Sequence, residues 1–203
     1  MVTAQWPLHV GVMGAQSTGK TQLLDRIEKE LTAQGTIVVR TGGFGERAAL
    51  MSLPEMQRHT SAATEWAIAQ GIADEIAAAA LPGREPAQVV LADRTAWDAL
   101  AFYYAAQEWH HNRAHRLERE RLRLLAATQA PKCSLLFATV LDPAIPIRPE
   151  HPCDPRFRSV VDQYAHKILT EEGLPHIRVT SEAHSQDRAV EHALSLCLLE
   201  APV

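Results

Sequence analysis

Residues 14–21, Gly-Ala-Gln-Ser-Thr-Gly-Lys-Thr, have the composition and spacing of a loop that cradles phosphate groups. The glycines of the pattern G-x-x-x-x-G-K-[ST] let the backbone curl until successive N–H groups face one anion. Lys20 would place a compact charge beside the outer phosphates, and we expect its side chain to face solvent in the free loop. The Thr21 hydroxyl is suited to ligate Mg²⁺. The predicted phosphate-binding residues are Gly14, Ala15, Gln16, Ser17, Thr18, Gly19, Lys20 and Thr21.

The flanking sequence supports this assignment. Residues 8–13 are apolar and strand-like, and apolar residues at helical spacing follow the loop until Gly35. A glycine-rich turn that merely joins a strand to a helix would leave Lys20 and Thr21 unexplained. The stretch resembles the P-loop NTPase superfamily, and the resemblance implies ATP or another purine nucleotide with Mg²⁺ as the ligand.

Asp93 and Arg94 follow the apolar run 88–92, which is suited to a strand buried on both faces. Asp93 lies where P-loop proteins carry a second carboxylate that directs the metal, so Thr21 and Asp93 are the predicted Mg²⁺ residues. The alternative role for Asp93 is a helix N-cap. AAA-type ATPases place a water-activating Glu after this Asp, whereas this chain has Arg94. The absence of an N/T-K-x-D tetrad also excludes guanine selection of the small-GTPase kind, and both absences favour phosphoryl transfer to an acceptor.

Strand-like and helical segments alternate along the chain, which predicts an α/β fold with a parallel sheet and helices on both faces. We expect residues 1–203 to form one domain, a five-stranded three-layer sandwich, with residues 143–158 as a proline-rich loop that acts as a lid. The predicted strands are 8–13, 36–40, 88–92, 133–140 and 176–179, and the predicted helices are 19–35, 54–80, 96–107, 111–129, 157–169 and 186–199. The carboxyl ends of such strands would gather residues 14–21, 41–47, 93–95 and 142–158 around one cleft.

The bulk properties favour a cytoplasmic protein. The formal charge of −4 argues against a general nucleic-acid binder, and no apolar stretch approaches the length that spans a bilayer. The three cysteines are scattered, which suggests a reducing compartment, and the first strand begins too early to leave room for a signal peptide. The oligomeric state stays open, with a homodimer among the alternatives.

A closer resemblance covers most of the chain. It rests on Asp93-Arg94-Thr95 with Asp98-Ala99-Leu100-Ala101-Phe102-Tyr103, on Leu141-Asp142-Pro143-x-Ile145-Pro146, on Asp154-x-x-Phe157-Arg158 and on Ile168-Leu169-x-x-Glu172-Gly173-Leu174-Pro175. These stretches resemble small P-loop kinase-like domains, in particular the nicotinamide riboside kinase-like domain of NAD regulator proteins and related AAA-like ATP-binding proteins. The resemblance implies ATP-dependent phosphorylation of a small hydroxylated molecule, by default a nucleoside. Residues 148–153 and Pro155 depart from the family's pattern.

Glu46 and Arg47 follow the second predicted strand. The layout is similar to that of deoxynucleoside kinases, where a carboxylate in this place takes the proton of the acceptor hydroxyl. By that resemblance Glu46 is a candidate general base and Arg47 a substrate contact, while Asp93 is the other candidate base. The alternative is that Glu46 only stabilises the start of a helix. Trp97, beside Asp93 and Arg94, is the best candidate to stack on the acceptor, although a core position would also suit it.

Three arginines, Arg148, Arg156 and Arg158, lie in or beside the predicted lid. By resemblance to P-loop kinases, Arg156 and Arg158 are candidates to contact the nucleotide, and Arg94 could steer the acceptor or the transferring phosphoryl group. At least one of the three is expected only to solvate the loop. Lys20, Asp93, Arg94 and Glu46 form the predicted catalytic set.

The leading function is therefore an ATP-dependent small-molecule kinase. The first alternative is a regulatory or switch ATPase that acts through a protein partner. The second keeps the kinase chemistry but replaces the nucleoside by an antibiotic or a sugar.

Overall fold

A computed structural model describes residues 7–80, 86–129, 133–147 and 153–200. A parallel five-stranded sheet with the order β2-β3-β1-β4-β5 forms its centre. The strands are β1 (Leu8–Met13), β2 (Val38–Gly42), β3 (Val89–Asp93), β4 (Leu135–Thr139) and β5 (Ile177–Val179). The helices are α1 (Lys20–Ala33), α2 (Phe44–Leu50), α3 (Ser61–Ala80), α4 (Ala96–Trp109), α5 (Arg116–Ala127), α6 (Pro155–Glu171) and α7 (Ala183–Glu200).

Helices cover both faces of the sheet, as the buried side chains show. On one face, α1 and α7 pack on the sheet through residues that include Leu23, Ile27 and Val190. On the other face, α3 to α6 contribute residues such as Ile68, Leu122 and Ile168. The central strands β1, β3 and β4 are almost continuously apolar because both of their faces are covered. The predicted three-layer α/β architecture is therefore confirmed.

The largest differences from the sequence prediction follow β2. The second strand was expected to end at residue 40, but residues 41–42 also belong to it. The seven-residue helix α2 that follows was not predicted. Gly42 has φ +130°, and a Cβ there would lie 2.5 Å from the backbone oxygen of Asp93. The strand therefore ends against β3 at a position that only glycine fits. Helix α3 begins at Ser61 rather than at Pro54, after a short 3₁₀ turn at Met56–Arg58.

Part of the predicted lid lies outside the described residues. Of residues 143–158, the structure describes 143–147 and the start of α6 from residue 153, whereas Arg148 is not covered. The lid assignment stays a prediction. Within the described ranges, no helix is both long and apolar enough to cross a bilayer.

Candidate phosphate-binding and active site

The loop between β1 and α1 adopts the curled backbone that its glycines predict. Gly14 has φ +144°, Ser17 φ +54° and Gly19 φ +87°. A Cβ at Gly14 would lie 2.1 Å from the Thr139 hydroxyl, so only glycine allows the loop to approach β4 this closely. Gly19 is the N-cap of α1 and provides no side-chain cap, which leaves the first N–H groups of the helix available to an anion.

Two side chains from distant parts of the sequence hold this loop. Thr139 lies 2.7 Å from the Thr18 hydroxyl and donates a hydrogen bond to the Met13 carbonyl. Asp98 accepts a hydrogen bond from the Gly14 N–H at 2.9 Å with one oxygen and from the Thr95 N–H with the other. Burial raises the pKa of Asp98, while Lys20 and the two N–H groups oppose that shift. The sequence analysis did not select Asp98 or Thr139 as site residues.

Lys20 is buried, with 7% of its surface exposed, so the expectation that it faces solvent is wrong. Its Nζ donates to the Gly14 and Ala15 carbonyls at 2.8 and 2.5 Å. The side chain folds back over its own loop because the carbonyls there satisfy an ammonium that would otherwise be buried without partners. Burial, assisted by the nearby charge of Arg94, lowers the pKa of Lys20 to about 8. The side chain therefore remains largely protonated at neutral pH.

Thr21 and Asp93 lie together, as the cleft argument predicts. The Thr21 hydroxyl donates to Asp93 Oδ2 at 2.9 Å. A hydroxyl and a carboxylate are hard oxygen ligands and fit Mg²⁺, which in nucleotide sites uses few protein ligands and takes the rest from phosphates and water. The described residues contain no cluster of three His, Cys, Asp or Glu side chains that could hold a metal alone. The N-cap of α4 is Thr95, with Asp98 completing the capping box, so the N-cap alternative for Asp93 is wrong.

Arg40 also contacts Asp93, and sequence reasoning missed it. Its Nη2 donates to Asp93 Oδ2 at 3.1 Å and to the Thr21 carbonyl at 3.2 Å. Its Nη1 donates to Asp25 and, at 3.4 Å, to Glu28. Arg40 is the last residue of a short β-branched run, and only the pairing of β2 with β3 brings it beside Asp93.

Arg94 lies at the same edge of the sheet. Its backbone has φ +91°, a conformation that L-residues rarely adopt, and its guanidinium lies 5.3 Å from the centre of the Phe102 ring. Burial and the charge of Arg94 together lower the pKa of His59 to about 4. The same charge acts on Lys20. The structure therefore brings Arg94, Lys20 and Asp93 together around the phosphate loop.

The two arginines of α6 differ completely in environment. Arg158 is buried and donates to the carbonyls of Gln16, Ser17 and Ile145 at 2.9, 3.1 and 3.0 Å. Arg156 is exposed at the start of the same helix. Arg158 supports the phosphate loop by donating to backbone carbonyls of that loop, and its own contact with a nucleotide stays a prediction. The contact of Arg156 with a nucleotide stays a prediction.

The predicted acceptor residues are less closely connected to this loop. Glu46 lies in the first turn of α2, and its role as a general base stays a prediction. Arg47 forms a two-pronged ion pair with Asp74 of α3 at 2.5 and 3.3 Å. Its guanidinium is therefore already engaged by a protein carboxylate, and a substrate contact would have to share or replace that pair.

Trp97 is buried in the core beside the sheet. It packs with Met13 and Leu100, and it lines a cavity of about 390 Å³ together with His9 and Cys133. None of residues 14–21 is among the described residues that line this cavity. The core position considered for Trp97 therefore describes its surroundings better than stacking on an acceptor.

Comparison with known proteins agrees with this arrangement. A family model described as an AAA domain matches residues 9–188. The fold is similar to that of two solved structures: NadR protein in complex with NAD and AMP-PNP (TM-score 0.67, 15% identity) and NadR protein in complex with NR (TM-score 0.64, 16% identity). Each comparison covers 98% of this chain but only 52% of the NadR chain, so this chain spans about half the length of those proteins.

A third solved structure has a similar fold over its whole length. It is deoxyadenosine kinase from M. mycoides with bound dATP (TM-score 0.62, 10% identity), and the comparison covers 93% of this chain and 100% of that one. No curated protein matches the sequence. At these identities the likeness establishes a P-loop kinase-like fold.

Proposed function

The chain belongs to the AAA domain family, and we propose that it transfers the γ-phosphoryl group of MgATP to a hydroxyl of a small, nucleoside-like molecule. The observation that carries the proposal is the grouping of Lys20, Asp93 and Arg94 around one phosphate loop. The fold shared with a deoxyadenosine kinase makes a nucleoside the first acceptor to test.

Arg94 favours transfer over hydrolysis. It follows Asp93 directly, where AAA-type ATPases have a Glu that activates water. The carboxylates whose charges act on Lys20 include Asp98 and Asp162, but both accept backbone N–H groups, of Gly14 and Leu141 respectively. These two side chains are occupied in holding the loops, so among the three carboxylates whose charges act on Lys20 we favour Asp93 for the chemistry.

In the proposed reaction the acceptor oxygen forms a bond to the γ-phosphorus while the bond to the β–γ bridging oxygen breaks, and ADP leaves. Lys20 and Arg94 stabilise the charge on the phosphoryl oxygens. The hydroxyl proton passes to a carboxylate, for which Glu46 and Asp93 are the candidates. Thr21 and Asp93 would hold Mg²⁺, which would supply further charge neutralisation.

The direct test is a coupled ADP-release assay over nucleosides, sugars and aminoglycoside-like compounds, with mass spectrometry of the products. We expect slow ADP release without an acceptor and faster release, with a product heavier by one phosphate, when a suitable nucleoside is added. The Lys20→Met variant controls for contaminating kinases. Fast hydrolysis without any acceptor, with no compound gaining phosphate, would overturn the proposal in favour of a switch ATPase.

The identity of the general base needs a separate experiment. If Glu46 takes the proton, Glu46→Gln lowers kcat for phosphoryl transfer while the affinity for AMP-PNP stays unchanged. If Glu46 only stabilises the start of α2, the same variant changes the melting temperature but not kcat.

A further inference from the structure

We propose that Arg40 makes divalent-cation binding depend on the nucleotide, by neutralising Asp93 until a triphosphate arrives. The inference rests on the metal site of the proposed function. It assigns Arg40 as a positioning residue that determines the order in which the ligands bind.

The first observation is that Arg40 contacts an oxygen atom of the candidate metal site. Asp93 Oδ2 accepts from Arg40 Nη2 at 3.1 Å and from the Thr21 hydroxyl at 2.9 Å. Arg40 Nη2 also donates to the Thr21 carbonyl. The guanidinium therefore contacts both residues that would hold the metal.

The sheet enforces this contact. Gly42 pairs with Asp93 and Arg40 pairs with Leu91, so Arg40 lies diagonally across from Asp93 on the same face. Side chains of strand residues two apart point the same way, which directs Arg40 toward α1 and the metal-binding edge. The position is fixed by register and does not depend on a loop.

The second observation is an outer pair of carboxylates. Arg40 Nη1 donates to Asp25 and lies 3.4 Å from Glu28, and both acidic residues are on α1. The side chains of Asp25 and Glu28 are 57% and 38% exposed, whereas that of Asp93 is 18% exposed. Arg40 therefore bridges an inner carboxylate, Asp93, and an outer acidic pair. When the guanidinium moves away from Asp93, it can remain ion-paired with the outer pair.

Charge then determines the order of binding. With Arg40 in contact, the charge of Asp93 is balanced, and a divalent cation approaching it is repelled by the guanidinium. A nucleoside triphosphate brings its own negative oxygens, which outweigh that repulsion and let the guanidinium shift toward Asp25 and Glu28. The metal consequently enters with the triphosphate rather than alone.

The test measures Mn²⁺ binding by electron paramagnetic resonance, in the full chain and without nucleotide. We expect Arg40→Met to bind Mn²⁺ at least about tenfold more tightly than the wild type, because the competing charge is gone. Arg40→Lys, which keeps the charge, is expected to stay within about threefold of the wild type. Arg26→Met breaks another ion pair of α1, with Asp187 at 2.6 Å, and is expected to change nothing.

A second variant changes the balance in the opposite direction. Asp25→Asn weakens the outer anchor, so Arg40 remains on Asp93 and the Mn²⁺ complex of AMP-PNP is expected to bind more weakly. Circular dichroism and melting temperature check that each variant folds. If Arg40→Met does not fold, Asp25→Asn and Arg40→Lys test the role of Arg40 in its place. Equal Mn²⁺ affinity in the wild type and Arg40→Met, or tighter Mn²⁺·AMP-PNP binding by Asp25→Asn, would overturn the proposal.

This experiment separates the inference from the proposed function because it needs no acceptor and no turnover. Adding Asp93→Asn to Arg40→Met should abolish the gain in Mn²⁺ affinity, which locates the metal at Asp93. A gain that survives the double substitution overturns the inference, even if kinase activity is found. A gain that is lost supports it, even if no acceptor is phosphorylated.

Discussion

The phosphate loop and the predicted acceptor side differ in how their charged groups are held. Around the loop, Lys20, Asp98 and Arg158 are buried, and each is hydrogen-bonded to the backbone of the loop itself. On the acceptor side, Arg47 and Asp74 pair at the surface, with side chains 37% and 23% exposed. The first region contains three buried charges, and the second contains a solvated ion pair beside a seven-residue helix.

This difference indicates that the geometry of the phosphate loop is fixed, whereas that of the predicted acceptor side is adjustable. Burying charged groups is unfavourable unless each one is fully paired, so such a cluster persists where a precise arrangement of dipoles is required. A partly exposed pair between the short helix α2 and α3 adjusts at lower cost and suits a side that must close around a second ligand. Five predictions test this difference, from the largest effect to the smallest.

Substitution of Lys20 removes one of the three buried charges around the phosphate loop. Lys20→Met is expected to lower the rate of ADP formation by about 10²-fold or more, because the charge at the phosphoryl group is lost. An unchanged rate in the coupled assay would contradict the assignment of residues 14–21 as the nucleotide site.

Lys20→Met should also change the pH dependence of stability. The folded pKa of about 8 lies below the ordinary 10.5, so between these values the unfolded chain binds more protons than the folded one. The contribution of Lys20 to the free energy of unfolding therefore rises with pH in that window, and its penalty is complete below pH 8. Urea unfolding should show that the variant is at least as stable as the wild type at pH 7 and loses this advantage by pH 10. An advantage that grows with pH would contradict the assignment.

Asp93→Asn is expected to have the next largest effect, a rate lower by ~10²-fold or more with nearly unchanged ATP affinity. The amide introduced by this substitution carries no negative charge to offset that of the metal, and it cannot take the proton of the acceptor hydroxyl. The nucleotide still binds the backbone of the loop. Single-turnover kinetics and AMP-PNP titration measure the two quantities, with Asp74→Asn as a control carboxylate elsewhere. Full activity in Asp93→Asn would mean that the carboxylate has a structural role only.

Arg158 and Arg156 provide a matched pair within one helix. Arg158→Met leaves backbone carbonyls of the phosphate loop without their donors and is expected to lower the free energy of unfolding by about 2–4 kcal/mol. Arg156→Met removes an exposed side chain and should stay within about 0.5 kcal/mol of the wild type. Urea denaturation distinguishes them. A normal stability of Arg158→Met with a reduced kcat would instead favour the lid role that the sequence predicts.

The smallest effect is expected on the acceptor side. Arg47→Ala and Asp74→Ala should each lower the free energy of unfolding by less than about 1 kcal/mol, since their ion pair is partly solvated. The two variants are equivalent if the pair is only structural. If Arg47 also contacts the acceptor, the KM for the acceptor rises in Arg47→Ala but not in Asp74→Ala. Steady-state kinetics with the acceptor varied makes that distinction.

The local features of this protein were determined by its sequence. The phosphate loop, the buried strands and the order of strands and helices depend on residues close together in the chain, so spacing and apolar runs predicted them. The juxtaposition of Thr21 with Asp93 also followed, because parallel strands place their carboxyl ends at one edge. The short helix α2 was missed since a glycine at its second position and a length of seven residues give no helical periodicity.

Only the tertiary structure determined which distant side chains support the site. Asp98 and Arg158 lie 84 and 142 residues from the loop atoms that they contact, and Arg40 lies 53 residues from Asp93. No local pattern marks such residues, because an arginine in a short strand or at the start of a helix has many surface roles. Sheet register and helix packing bring them to the loop, where burial makes their hydrogen bonds obligatory.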